Sequence, residues 1–279
     1  MRSRIVLGRV LRSRETVAGL VLFALLLGLA FIGPYFSLWD WTEKDFENFL
    51  APPSDLHPFG TTSIGGDVFA ITLRGLQKSI LIGLLVGVIS STLAAVVGGF
   101  AGYFGGWVER ILMWGTDLLL VLPSFLIIAI LAPRLKTASW LWLVVLLAVF
   151  SWMVTGRVVR AMTLSLRERE YVQAAVYMGA SAPKVLFKHV MPNVSSLLII
   201  DVTLGVGLAI LAETGLSFFG FGVQPPDVSL GTLIADGTYK ATTHTWLFAF
   251  PAGMLLLLVL AINLIGDGLR DAIDPGSTT

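Results

Sequence analysis

Three carboxylates stand where carboxylates are costly: Asp117, Asp201 and Glu213 lie inside or at the edge of long apolar runs. A charged side chain among lipid tails must face the protein interior, another subunit or water, so each is a candidate for a proton relay or a solute path. A hydrogen-bonded structural anchor meets the same requirement. That role is preferred for all three, and for Glu213 the anchored element would be the turn from Gly215 to Gly222. Other chemistry is sparse. His57, His189 and His244 lie far apart and show no His-Glu-x-x-His or comparable metal spacing. The absence of cysteine removes disulfides, thiolate catalysis and cysteine-bound metals. There is no Gly-x4-Gly-Lys-Ser/Thr phosphate loop, so any use of ATP must come from a partner. Serines such as Ser90 and Ser91 have no recognisable base and suit helix packing and hydrogen bonding. The sequence therefore predicts no catalytic, cofactor-binding or metal-binding residue and excludes an intramembrane protease.

The elements that hold these carboxylates are membrane spans. Of the 279 residues, 56% are apolar and 13% charged, against about 25% charged in an ordinary soluble domain. A hydrocarbon core about 30 Å thick takes roughly 20 apolar residues per helix. Six runs approach or meet that length: Val17 to Phe36, Ser79 to Tyr103, Ile111 to Ala132, Ser139 to Gly156, Val194 to Leu211 and Trp246 to Ile265. None alternates apolar with polar as a barrel strand would, so the expected fold is all-α integral membrane. One six-helix domain covers residues 17–279, behind a cytoplasmic arm of residues 1–16. Gly83, Gly87, Gly98, Gly99 and Gly102 in the second run predict close helix contact.

The charges between the runs assign sidedness. Arg2, Arg4, Arg9, Arg12 and Arg14 precede the first run with only Glu15 against them, which places the N-terminus in the cytoplasm. Acidic residues from Asp40 to Asp67 mark the next loop as external. Arg157, Arg160, Arg167, Arg169, Lys184 and Lys188 return the loop after the fourth run to the cytoplasm, in agreement with the count. Arg134 and Lys136 fall in a short turn that the count puts outside, where they can snorkel to headgroups. The first run is expected to be retained: it is longer than a signal core of about 7–15 residues and leaves through bulky Phe31, Tyr35 and Phe36.

Three extramembrane segments carry distinct signals. In the first outer loop, His57 to Thr61 and Gly65-Gly66-Asp67 predict tight turns. In the second, from Gly215 to Thr245, Gly220, Gly222, Pro225 and Pro226 argue against a regular helix, and Phe218, Phe219 and Phe221 are expected to bury against the bundle. The cytoplasmic loop, residues 157–193, reads as a helical hairpin. Met162 to Met178 forms its first helix, with Tyr171, Ala174, Ala175 and Met178 on one face. Gly179 closes that helix, Ser181 caps a second one with Pro183 in its first turn, and Pro192 ends it before the fifth span. The small-residue face fits a docking knob and fits rest against the chain's own bundle equally well.

Gln173-Ala174-Ala175, followed by Gly179 and Pro192, resembles the EAA loop of ABC importer permeases, with Gln173 in place of the usual glutamate. His57 to Thr61 with Gly66-Asp67-Val68, the stretch Glu213 to Gly222 continuing to Gly231, and the run from Asn263 to Asp271 ending at Asp274-Pro275 are similar to the peptide and nickel branch. The whole pattern looks most like the C-type subunit of oligopeptide or dipeptide permeases. The resemblance implies a type I permease fold in a bacterial cell membrane, with both termini cytoplasmic. It also implies a homologous B-type permease, two ATP-binding subunits that hold ATP and magnesium, and an extracytoplasmic substrate-binding protein. The solute would be a peptide passing between the permeases, with no nucleic acid involved. Gln173, Ala174, Ala175, Gly179 and Pro192 would belong to the ATPase-coupling loop, and closure of the ATPases would pull on Ala174, Ala175 and Gly179 to drive alternating access. Nickel or haem import by the same architecture, a proton-coupled secondary transporter using Asp117 or Asp201, and a passive membrane scaffold are the rival readings.

Overall fold

The structure, a computed structural model, describes residues 13–132 and 139–273. Arg2, Arg4, Arg9, Arg12, Arg134, Lys136, Asp274 and Pro275 lie outside the described residues. Within them the fold is all helical: α1 (Arg14–Phe31), α2 (Val68–Phe104), α3 (Gly106–Val121), α4 (Ser124–Leu131), α5 (Leu141–Ser151), α6 (Met153–Arg167), α7 (Glu170–Tyr177), α8 (Ala182–Val185), α9 (Met191–Phe218), α10 (Leu230–Thr238) and α11 (Trp246–Ile273). Among the described residues, four helical stretches are long and apolar enough to cross a bilayer. The pairs α3–α4 and α5–α6 are bent by 77° and 45°, and counting each pair as one span makes six.

The bends were not foreseen, and each has a local cause. Pro123 has no N–H and pushes Leu122 out of helical geometry, to φ −73° and ψ 130°, which separates α3 from α4. Trp152 separates α5 from α6, with its indole packed against Gly156 and its side chain enclosed with Ala94 and Met153. The spans also run past the apolar stretches that announced them. Helix α2 starts at Val68, eleven residues before Ser79, because the Asp67 carboxylate accepts the Ala70 N–H at 2.7 Å and caps it there. Its extra turns carry Arg74 and Lys78, which bond to Asp227 of the second outer loop.

Helix α2 is the axis of the bundle. In its first half Gly83 and Gly87 admit α9, where an added Cβ would come within 2.7 Å of Ile210 and 3.0 Å of the Val202 carbonyl. Toward its C-terminal end Gly98 and Gly102 admit α6: a Cβ on Gly102 would lie 2.6 Å from the Arg160 carbonyl, and one on Gly98 would collide with the Gly156 carbonyl. Gly99 takes the Met191 methyl in the same way. The close contact predicted for these glycines is present. Leu26, Leu76, Ile80, Val206, Ile210, Leu258 and Ile262 form one core between α1, α2, α9 and α11.

The loop between α1 and α2, expected from its charge to be external, folds into a cap over one end of the bundle. Gly60 and Gly65 adopt positive φ in its turns, and Thr61 bridges to Asp67. His57 is buried beneath Trp39, its Nδ1 2.8 Å from Asp67 and its Nε2 3.2 Å from Asp45. Phe59 stacks on Phe250 at 3.9 Å, and the Trp246 indole donates to the Thr61 carbonyl, so the cap is fastened to the start of α11. The second outer loop departs from expectation. Helix α9 continues through Gly215 to Phe218, and the loop contains α10, started by a Ser229–Thr232 capping box. Phe218 and Phe219 are 50% and 63% exposed rather than buried, because the chain turns only at Gly220 and leaves both rings on the outside of the last turn.

Candidate functional site

The inner hairpin is built from backbone chemistry outward. The structure breaks the expected 162–178 helix at Glu168 and Arg169. Arg169 is extended, and α6, already under way at Met153, ends at Arg167 before α7 starts. Gln173 closes the break by donating from Nε2 to the Arg167 carbonyl at 3.0 Å. At the other end of α7, Gly179 takes φ +81°. Its N–H reaches the Val176 carbonyl at 2.9 Å while the Ala180 N–H reaches that of Ala175 at 3.1 Å, which together form a Schellman cap. Ser181 then precedes α8 in extended geometry without a side-chain cap bond.

The helical face read from the sequence divides in two. Ala175 is 3% exposed and sits with Val172, Val185, Leu186 and Val190 in a core beneath the hairpin. Ala174 and Tyr171 face outward, and at the tip Tyr177 and Met178 are 86% and 80% exposed. Pro192 does not end the second helix. A π-helical turn at Leu186–Val190, in which the Met191 N–H reaches back to the Leu186 carbonyl, absorbs the proline, and the chain runs on into α9. The hairpin is therefore continuous with the fifth span at one end and joined by a two-residue break to the fourth at the other.

The three carboxylates occupy three different environments and do not come together. Asp201 on α9 accepts from Thr155 on α6 at 2.5 Å and from Ser91 on α2, and so ties three helices. Glu213 is fully buried near the outer end of α9, where Oε1 accepts from Ser217 at 2.5 Å and from Ser229 at 2.7 Å. It thereby fixes the start of α10 as well as the Gly220 turn; its other oxygen, Oε2, lies against Gly231. Asp117 on α3 is paired with Arg157 on α6, in a cleft where Glu109 on α3 also accepts from Arg160 Nε at 2.7 Å. The partners of all three acids went unread in the sequence. For Asp117 alone the charge pattern offers a signal, Arg157, which serves in the sequence only to mark sidedness; the partners of Asp201 and Glu213 are hydroxyls.

In the outer cap, hydrogen bonds from the Asn48 side chain and the Glu47 N–H, with His57 adding to them, hold the Asp45 carboxyl down to about 2. Burial pushes Asp236 on α10 up, against the pull of Lys240.

These features define a multi-pass helical membrane protein with a glycine-capped hairpin between α6 and α9 and a folded cap between α1 and α2. Residues 94–278 match the family described as binding-protein-dependent transport system inner membrane component, and residues 3–53 match the N-terminal transmembrane domain of oligopeptide transport permease C. The chain is 55% identical over 277 residues to the oligopeptide transport system permease protein OppC of Mycobacterium tuberculosis (strain ATCC 25618 / H37Rv), covering 99% of this chain and 95% of that protein. It is 40% identical over 269 residues to a putative peptide permease protein of Brucella suis biovar 1 (strain 1330), with 96% and 89% covered. It is 34% identical over 263 residues to OppC of Bacillus subtilis (strain 168), with 94% and 86% covered. The chain belongs to the family of binding-protein-dependent transport system inner membrane components, and it is a membrane permease rather than an enzyme.

Proposed function

We propose that this chain is the C-type permease of an ATP-driven oligopeptide importer. It pairs in the membrane with a homologous B-type permease, engages two ATP-binding subunits inside and receives peptide from a substrate-binding protein outside. ATP and magnesium reside on the ATP-binding subunits, and this chain carries no cofactor. Both termini are cytoplasmic, a reading supported by the arginine asymmetry. The observation that carries the proposal is the inner hairpin. A glycine-capped helix with Tyr177 and Met178 exposed at its tip is fixed to two spans, so force applied at the tip reaches the bundle. Oligopeptides are the solute by similarity to the relatives in Mycobacterium and Bacillus.

Reconstitution of the four membrane and ATPase subunits with the binding protein tests the reading. Uptake of a labelled oligopeptide is expected to require ATP inside and to resist proton uncouplers at constant ATP. Uptake without the ATPases, or its collapse on uncoupling, refutes it. For orientation, Ser54→Cys is expected to react with an impermeant thiol reagent from outside intact cells, whereas Ser181→Cys is not; the reverse result overturns the cytoplasmic hairpin.

A further inference from the structure

The two bent spans meet at one cleft. Its walls are α3 and α6, lined by Glu109, Arg110, Met113, Asp117, Arg157 and Arg160, and it is an open groove of about 760 Å³. Asp117 pairs with Arg157 and Glu109 with Arg160, while Arg110 lies over the Trp107 ring, 5.3 Å from its centroid. Asp117 lies just before the Pro123 bend and Arg157 just after the Trp152 bend. Interrupted spans in transporters place polar groups at membrane depth only where they are buried in protein or line a water-filled space.

The position and exposure of the Asp117–Arg157 pair decide between those settings. At 1.5 Å per residue, Asp117 lies about 16 Å along α3 from its start and Arg157 about 15 Å along α6 from its end, so both sit well inside helix pairs long and apolar enough to cross a membrane. The two side chains are charged as well as 56% and 51% exposed in this chain, so their neighbour is water or another protein rather than lipid. A dry contact with another subunit would strip water from two ion pairs at a cost their mutual attraction need not recover. A water-filled cleft carries no such cost, and an open groove of about 760 Å³ is far larger than one water needs, roughly 30 Å³ in the liquid.

We propose that the α3–α6 cleft is an aqueous segment of the import path that binds the charged ends of a peptide. The peptide carboxylate is received by the guanidinium groups of Arg157, Arg160 and Arg110, which match it in planar geometry. Its ammonium is received by Asp117 and Glu109. Each ion pair already in the cleft supplies one partner for each end, so the peptide exchanges with existing contacts instead of leaving charges bare. This inference rests on the peptide-importer reading above.

The test uses the complete importer in proteoliposomes, with Met113→Cys or Trp114→Cys, both at the cleft, in this otherwise cysteine-free chain and Leu25→Cys on the exposed apolar face of α1 as control. A charged thiol reagent added on the ATPase side is expected to modify both cleft variants about 100-fold faster than the control, since charge is excluded from lipid. A short peptide with free termini is expected to slow that reaction severalfold, and the same peptide acetylated and amidated at its ends is expected not to. Unreactive cleft cysteines, or protection that is absent or identical for the two peptides, overturn the proposal. Uptake by the natural chain in matched vesicles separates the two failures. If uptake is normal while the cleft is unreactive, only the cleft assignment falls; if uptake is absent, the peptide-importer reading falls with it.

Discussion

Replacing Gly179 isolates a single backbone term. At φ +81° an L-residue is in the left-handed region, and a Cβ built there meets no heavy atom within 4 Å, so substitution brings strain without collision. For Gly179→Ala the strain costs about 1–2 kcal/mol, which corresponds to about a 5–30-fold shift between the capped and uncapped hairpin. Gly179→Asn, whose side chain tolerates this region, is expected to cost less, and β-branched Gly179→Val more. The readout is hydrogen exchange at the Ala180 amide, which the Schellman bond to the Ala175 carbonyl protects. Exchange is expected to accelerate in the order Asn, Ala, Val, while exchange in α2 and α9 stays unchanged. In the reconstituted importer, peptide taken up per ATP hydrolysed is expected to fall in the same order. Equal exchange for Asn and Val would refute the backbone argument. Ordered exchange with unchanged coupling would refute the hairpin's role in transmission.

Three further outcomes follow from the same contacts. Asp201→Asn keeps an acceptor for Ser91 or Thr155 and is expected to be tolerated, whereas Asp201→Ala leaves hydroxyls unpaired between three helices and is expected to cost about 1–3 kcal/mol, read as a lower unfolding midpoint in detergent. Glu213→Gln is expected to preserve the Ser217 and Ser229 bonds, whereas Glu213→Ala releases the start of α10 and exposes residues 219–229 to protease at neutral pH. Because the Asp45 carboxyl is held down to about 2, its contribution to the cap is complete above the ordinary carboxylate range and is lost as pH falls through about 2. Pepsin is therefore expected to spare the cap near pH 4 and cut it increasingly toward pH 2, while Asp45→Asn is cut at both.

What was legible in the sequence followed from strong local physics. Apolar runs revealed the spans, and Gly179 after a glycine-free helical segment revealed a cap. Glycines within α2 revealed close packing. What escaped depended on contacts between distant segments. Asp67 and the turns before Ser79 carry charges that hide the true start of α2, since Arg74 and Lys78 become acceptable there only once Asp227 arrives from the other outer loop. Pro192 looked like a boundary because a proline excludes an i→i−4 bond, yet a π-helical turn removes the conflict. The face of α7 was read as uniform, but Ala175 and Ala174 point to opposite environments once α8 folds beneath it.

The 37 residues of α2 have a consequence for the membrane itself. At 1.5 Å per residue the helix is about 55 Å long, against a hydrocarbon core of about 30 Å. Its glycines register it against α9 at Gly83 and Gly87 and against α6 at Gly98 and Gly102. One residue inserted between the two sets would turn the inner set by about 100° and drive side chains into α6. This helix therefore cannot lengthen or shorten in single-residue steps to suit a different lipid. A mismatch in thickness must be met by tilt of the whole bundle or by local deformation of the bilayer, so lipid chain length becomes a mechanical load on the permease.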